Sequence, residues 1–156
     1  MKDSMPWTQI VTAIVAIYAA IVSTVTLITN RREKVRRLKV VASNGVIGNP
    51  VIGASGLMLI ITVSNPGHKN VVINTPYLRL PNKNKLIFPS PGTDVRYPYK
   101  LEESSACTLW SDMDQLKDVL RSQGLDGTVK LRAEVTDGSQ RVYRAKKTFK
   151  LNLNSN

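Results

Sequence analysis

Histidine and cysteine occur once each in these 156 residues, as His68 and Cys107. A single cysteine rules out an internal disulfide, as expected for a domain in a reducing compartment. One histidine and one cysteine cannot supply a zinc tetrad, and the carboxylates lack the spacing of a calcium loop. His68 sits in "NPGHKN", where a solvated turn residue is expected rather than a general base. Cys107, in "SSACTLW", falls on an expected strand with no activating neighbour in sequence, so buried packing is its expected role. No Walker loop and no GxGxxG is present, and the paired carboxylates Glu102-Glu103 and Asp112/Asp114 read as loop and helix-start charges. Such an inventory predicts no enzyme activity, no cofactor and no metal. The one Asn-x-Thr stretch, Asn74-Thr-Pro, ends in the wrong residue to be a glycosylation sequon.

Acidic residues are also few, 11 against 22 Lys and Arg, for a net charge of +11. Such an excess suggests a nucleic-acid binder until it is mapped along the chain. Residues 1–39 hold seven basic residues against Asp3 and Glu33, so almost half of the excess lies in a quarter of the length. Nearly all of that cluster is the stretch "NRREKVRRLK", which directly follows the uncharged "WTQIVTAIVAIYAAIVSTVTLIT".

As a helix, the uncharged run from Trp7 to Thr29 would measure roughly 34 Å, a little more than the hydrocarbon core of a bilayer. It is too long for a strand or for the apolar core of a cleaved signal peptide, and its dense positive charge follows it instead of preceding it. The chain therefore divides into a tail (1–6), a transmembrane helix (7–29), a basic juxtamembrane segment (30–39) and a domain (40–156). The cluster Arg31, Arg32, Lys34, Arg36, Arg37 and Lys39 faces only Lys2 across the run. By the positive-inside rule the N terminus is outside and the domain cytoplasmic, at the inner membrane of the cell, with Trp7 at the outer interface. The cluster would then lie against the anionic inner leaflet. Within the helix, Thr12, Ala16, Ala20 and Thr24 recur every four residues, a spacing that permits pairing with a second copy or another helix.

Beyond residue 39 the punctuation is that of a β protein. "LKVVAS", "LMLIITVSN" and "NVVINTPYLRL" are strand runs parted by Asn, Pro and Gly, and "NGVIGNPVIGASG" reads as a loop. Val129, Leu131, Ala133 and Val135 alternate with Lys130, Arg132 and Glu134, and Asp137-Gly138 supplies a turn into a return strand. If the two strands pair, Lys130, Arg132, Arg144, Lys146 and Lys150 share one face, on which no aromatics interleave for single-stranded nucleic acid. A short helix from Asp112 to Gln123 is predicted, with Ser111 as N-cap, Met113, Leu116 and Leu120 as its apolar stripe and Gly124 as its stop. The expected fold is mainly β: an immunoglobulin-like antiparallel sandwich with one short helix, behind the transmembrane helix.

The order of membrane helix, "NRR" stop, "ITVSNPGHKNVVI", "YPYKLEESSA", short helix and closing "VTDGSQRVYRAKKTFKL" resembles a largely uncharacterised group of small membrane-anchored bacterial and phage proteins with an immunoglobulin-like sandwich. The resemblance covers nearly the whole chain and implies fold and prokaryotic origin. Its motifs are structural turns, so it implies no site residues.

The candidate partner loop is "FPSPGTDVRYPYK", in which Arg96, Tyr97 and Tyr99, with Trp110, are of the types favoured at protein-interface anchors. The expected function is a membrane-anchored binding or scaffold module that holds a protein partner at the membrane. One alternative is a phage-encoded envelope factor, such as one for superinfection exclusion, acting through the helix. A membrane-tethered nucleic-acid binder is the other.

Overall fold

The computed structural model describes residues 7–33, 37–49, 53–88 and 91–154. It comprises two compact units, Met1–Val35 and Arg36–Asn156.

The first unit is helix α1, Trp7–Glu33. Its stretch Trp7–Asn30 is long and apolar enough to cross a membrane, and none of it is buried. The hydroxyls of Thr12, Thr24, Thr26 and Thr29 donate to carbonyls four residues earlier at 2.7–2.8 Å. Each of these threonines thus satisfies its own donor within the helix. The helix runs four residues past the expected end at Thr29, because Arg31, Arg32 and Glu33 are adequate helix formers. The expected tail, residues 1–6, and the cluster members Lys34 and Arg36 lie outside the described residues.

The second unit is mainly β. Its first sheet comprises β1 (Lys39–Asn49), β2 (Gly53–Ser64), β8 (Ala106–Asp112) and β6 (Gly92–Thr93), in the order β1-β2-β8-β6. The second comprises β10 (Val142–Arg144), β9 (Thr128–Thr136), β4 (Tyr77–Arg79) and β5 (Lys85–Leu86), with β11 (Phe149–Asn152) also on β9. A two-stranded ribbon joins β3 (Val71–Ile73) to β7 (Tyr99–Leu101). Every pairing is antiparallel. Leu59, Ile61 and Val63 of β2, Leu109 of β8, and Leu131, Ala133 and Val135 of β9 are fully buried and meet in one core. Period-two alternation sends these side chains inward.

Helix α2, Met113–Ser122, follows β8 and sends Met113, Leu116 and Leu120 into the same core. Its N-cap is Asp112, not the expected Ser111, which stays in β8. Asp112 accepts from the amides of Asp114 and Gln115 at 2.9 and 3.0 Å, and a carboxylate there also favours the helix dipole.

Two further expectations need correction. In the stretch "NGVIGNPVIGASG", residues 44–49 and 53–56 are not loop but the ends of β1 and β2, whose pairing runs from Lys39↔Ser64 to Asn49↔Gly53. Residues 50–52 lie outside the described residues. One of its glycines has a packing role: a Cβ on Gly45 would lie 2.8 Å from the end of the Ile60 side chain, whereas one on Gly48 would meet nothing within 4 Å. The return strand, in turn, is broken. Arg144 pairs with Glu134 and Phe149 with Leu131, so two extra residues loop out between β10 and β11. Lys146 therefore leaves the face on which Lys130, Arg132, Arg144 and Lys150 remain.

Candidate functional site

The Pro- and Tyr-rich stretch is a strap tied to β8. Within it β6 pairs with β8, and the Asp94 carboxylate accepts the Thr108 amide at 2.9 and 3.1 Å. Tyr97 is half-buried, with its hydroxyl 3.8 Å from the Cys107 sulfur. Burial, then the adjoining Cys107, raises the Tyr97 phenol pKa well above its ordinary range. Burial likewise pushes the Cys107 thiol up, which favours the protonated, unreactive form. Tyr99 stands in β7 opposite Ile73, and Trp110 stands in β8 opposite both Ile60 and Gly92. A methyl on Gly92 would come within 1.9 Å of the indole nitrogen, so the ring lies against bare backbone there. Of the four expected partner residues, Tyr97, Tyr99 and Trp110 are partly committed to packing, whereas Arg96 is exposed.

A second feature lies at the edge strand β1. A groove with apolar walls is lined by residues 39–42 of β1 and by residues 145–147, the break in the return strand. Val40, Val41, Ala42 and Ala145 are its apolar part, and Lys39, Lys146 and Lys147 bring three cations. Among the described residues no strand pairs with the outer edge of β1. The sequence signal for this groove is the interruption of alternation at "RAKKT", since Lys147 cannot point inward. Only the sheet order places that interruption beside β1.

Three buried polar side chains hold the frame. Glu134 accepts from the Tyr77 hydroxyl at 3.0 Å and from Arg79 and Arg144 at 3.3 and 3.0 Å. Asp137 accepts from the amides of Ser139 and Arg141 and from the Tyr143 hydroxyl, closing the β9–β10 turn. Asn65 donates to the carbonyls of Lys69, Leu101 and Glu102 and accepts from the Gly67 amide. His68 lies in that same turn, its Nδ1 2.7 Å from Glu103 on the exposed surface. Among the described residues no three of His, Cys, Asp and Glu gather to hold a metal ion.

On α1, the Thr12 and Thr24 hydroxyls are taken up by the Thr8 and Ala20 carbonyls. With Ala16 and Ala20 they form a stripe of small residues whose hydroxyl donors are already used within the helix. Of the basic cluster, Arg31 and Arg32 fall on the last turns of α1, Arg37 is exposed, and Lys39 opens β1 at the groove.

In comparisons with known proteins, no family model and no curated protein matches the chain.

Proposed function

We propose that the chain is a single-pass membrane protein whose immunoglobulin-like sandwich holds a partner protein at the cytoplasmic face of the inner membrane. The observation that carries this reading is the pairing of an apolar helix, none of it buried, with a β domain that closes its own core. A soluble protein has no use for a predominantly apolar helix of 24 residues left in water, whereas a bilayer explains it. Tethering confines the domain to a surface and raises its effective concentration near membrane partners, so weak contacts suffice. The positive-inside rule supports the cytoplasmic placement, and the resemblance to small membrane-anchored bacterial and phage proteins supports the sandwich and its origin.

The partner's seat is the groove beside β1. An extended segment can add to the open strand edge through main-chain hydrogen bonds, and three lysines beside apolar walls select an acidic, partly apolar one. A photo-crosslinker at Val41, in cells making the full chain, should give a discrete adduct that the charge reversals Lys146→Glu and Lys147→Glu abolish. A crosslinker at Arg96 serves as comparison. Adducts from Arg96 that survive the reversals, with none from Val41, would move the partner to the strap and refute the groove.

A further inference from the structure

The outer face of the second sheet carries Lys85, Arg79, Arg132, Arg144, Lys130 and Lys150, with one carboxylate, Glu134, on the same strands. The register sets like charges directly opposite one another. Lys85 faces Arg79, Arg79 faces Arg132, and Lys130 faces Lys150. Such pairs destabilise a sheet unless something between them carries the opposite charge. Glu134 does so for Arg79 and Arg144, but it is buried and fully committed to them and to Tyr77. Among the described residues no acid pairs with Lys130, Arg132 or Lys150.

Protection against edge-to-edge pairing accounts for lysines on edge strands, and Lys85 on β5 fits that role. It does not account for Lys130 and Arg132. Their strand, β9, is central, with β4 on one side and β10 and β11 on the other. The face also offers no stacking platform for bases. Its one aromatic, Tyr77, is buried, with the Lys85 ammonium 5.0 Å above its ring. An array of cations without exposed aromatics matches an array of phosphates. Only residues 34–38 separate α1 from β1, so the bilayer that receives the helix brings such an array within reach.

We propose that this face docks on the anionic phospholipid headgroups of the membrane that holds α1. The proposal rests on the reading of α1 as an anchor. Its consequence is a β domain held against the bilayer, with lipid charge relieving the cross-strand repulsion, and weakened as salt shortens the screening length.

The test uses the full chain in nanodiscs of phosphatidylcholine alone or mixed with phosphatidylglycerol, with melting followed by far-ultraviolet circular dichroism. The wild type should melt higher in the anionic discs, by about 4 °C, and high salt should erase the gain. The triple variant Lys130→Gln, Arg132→Gln, Lys150→Gln should melt no lower than the wild type in phosphatidylcholine and show no gain from phosphatidylglycerol. Equal melting of the wild type in both discs overturns the docking, and so does a variant that retains the gain. A single-stranded oligonucleotide that stabilises the wild type in phosphatidylcholine discs as much as the anionic lipid does would reassign the face to nucleic acid. Incorporation is read separately by size exclusion. A chain that enters neither disc overturns the anchor and the docking with it, whereas one that enters both but melts alike overturns the docking alone.

Discussion

Glu134 shows how a residue with an ordinary place in the sequence comes to hold a sheet together. It occupies an outward position of β9, yet it is 2% exposed, because Tyr77, Arg79 and Arg144 close over it. Glu134→Ala should cost about 2 kcal/mol in urea unfolding at neutral pH, within the range for losing a buried, charge-assisted acceptor. The loss stays below that of a fully buried ion pair, since the Arg79 and Arg144 side chains are 30% and 57% exposed and can return to water. No measurable loss would show that the cluster is not a stabilising one. A second outcome concerns alkali. Burial raises the phenols of Tyr97, Tyr77 and Tyr143 and the Cys107 thiol. In the pH range above the ordinary value, near 10 for a phenol, the folded chain therefore keeps protons that the unfolded chain releases. Stability is complete below that value and falls as pH rises toward the higher folded one. Denaturant melts across this range should show that fall, and Tyr97→Phe should flatten it. These roles were not legible in the sequence. Alternation marks Glu134 as solvent-facing, and its partners lie on strands whose pairing only the fold supplies.

At the scale of elements, legibility follows how local the determining forces are. The alternation of β9, the apolar stripe of α2 and the uncharged run of α1 depend on neighbours within a few residues, and all three form, with α1 ending four residues later than the pattern predicts. The β1–β2 hairpin was hidden because a glycine-rich stretch reads as loop, although Gly45 is there to admit Ile60 from the adjacent strand. The groove was hidden for a similar reason: it forms between β1 and a break in the return strand about a hundred residues later. Two substitutions test these local arrangements. Asp112→Ala should cost about 1 kcal/mol as loss of an N-cap, and Ser111→Ala much less, a contrast that thermal unfolding of the two variants resolves. Gly92→Val puts side-chain atoms where the Trp110 ring lies. It should expel the indole, shift its fluorescence to the red and destabilise the domain by about 1–3 kcal/mol. An unshifted spectrum would mean that the ring does not rest on that backbone.

For the whole molecule, the proposed orientation rests on the basic cluster and the apolar helix taken together. Lys and Arg resist transfer across an energised membrane, and only residues close to the helix ends count. Arg31, Arg32, Lys34, Arg36, Arg37 and Lys39 all lie within that distance on one side, against Lys2 on the other. A tag at the C terminus should therefore be protected from protease in intact spheroplasts and digested after lysis. Replacing the six with Gln removes the bias, and adding Asp3→Lys and Ser4→Lys reverses it, so a fraction of the tag should become accessible in spheroplasts. The apolar stretch Trp7–Asn30 is unchanged in these variants, and membrane extraction should confirm that insertion itself persists. If the wild-type tag is accessible from the start, the domain faces outward, and the groove beside β1 must find its acidic segment among envelope proteins. The anchor would survive that outcome and the cytoplasmic scaffold would not, because the two rest on different physics: helix insertion on apolar length, orientation on charge.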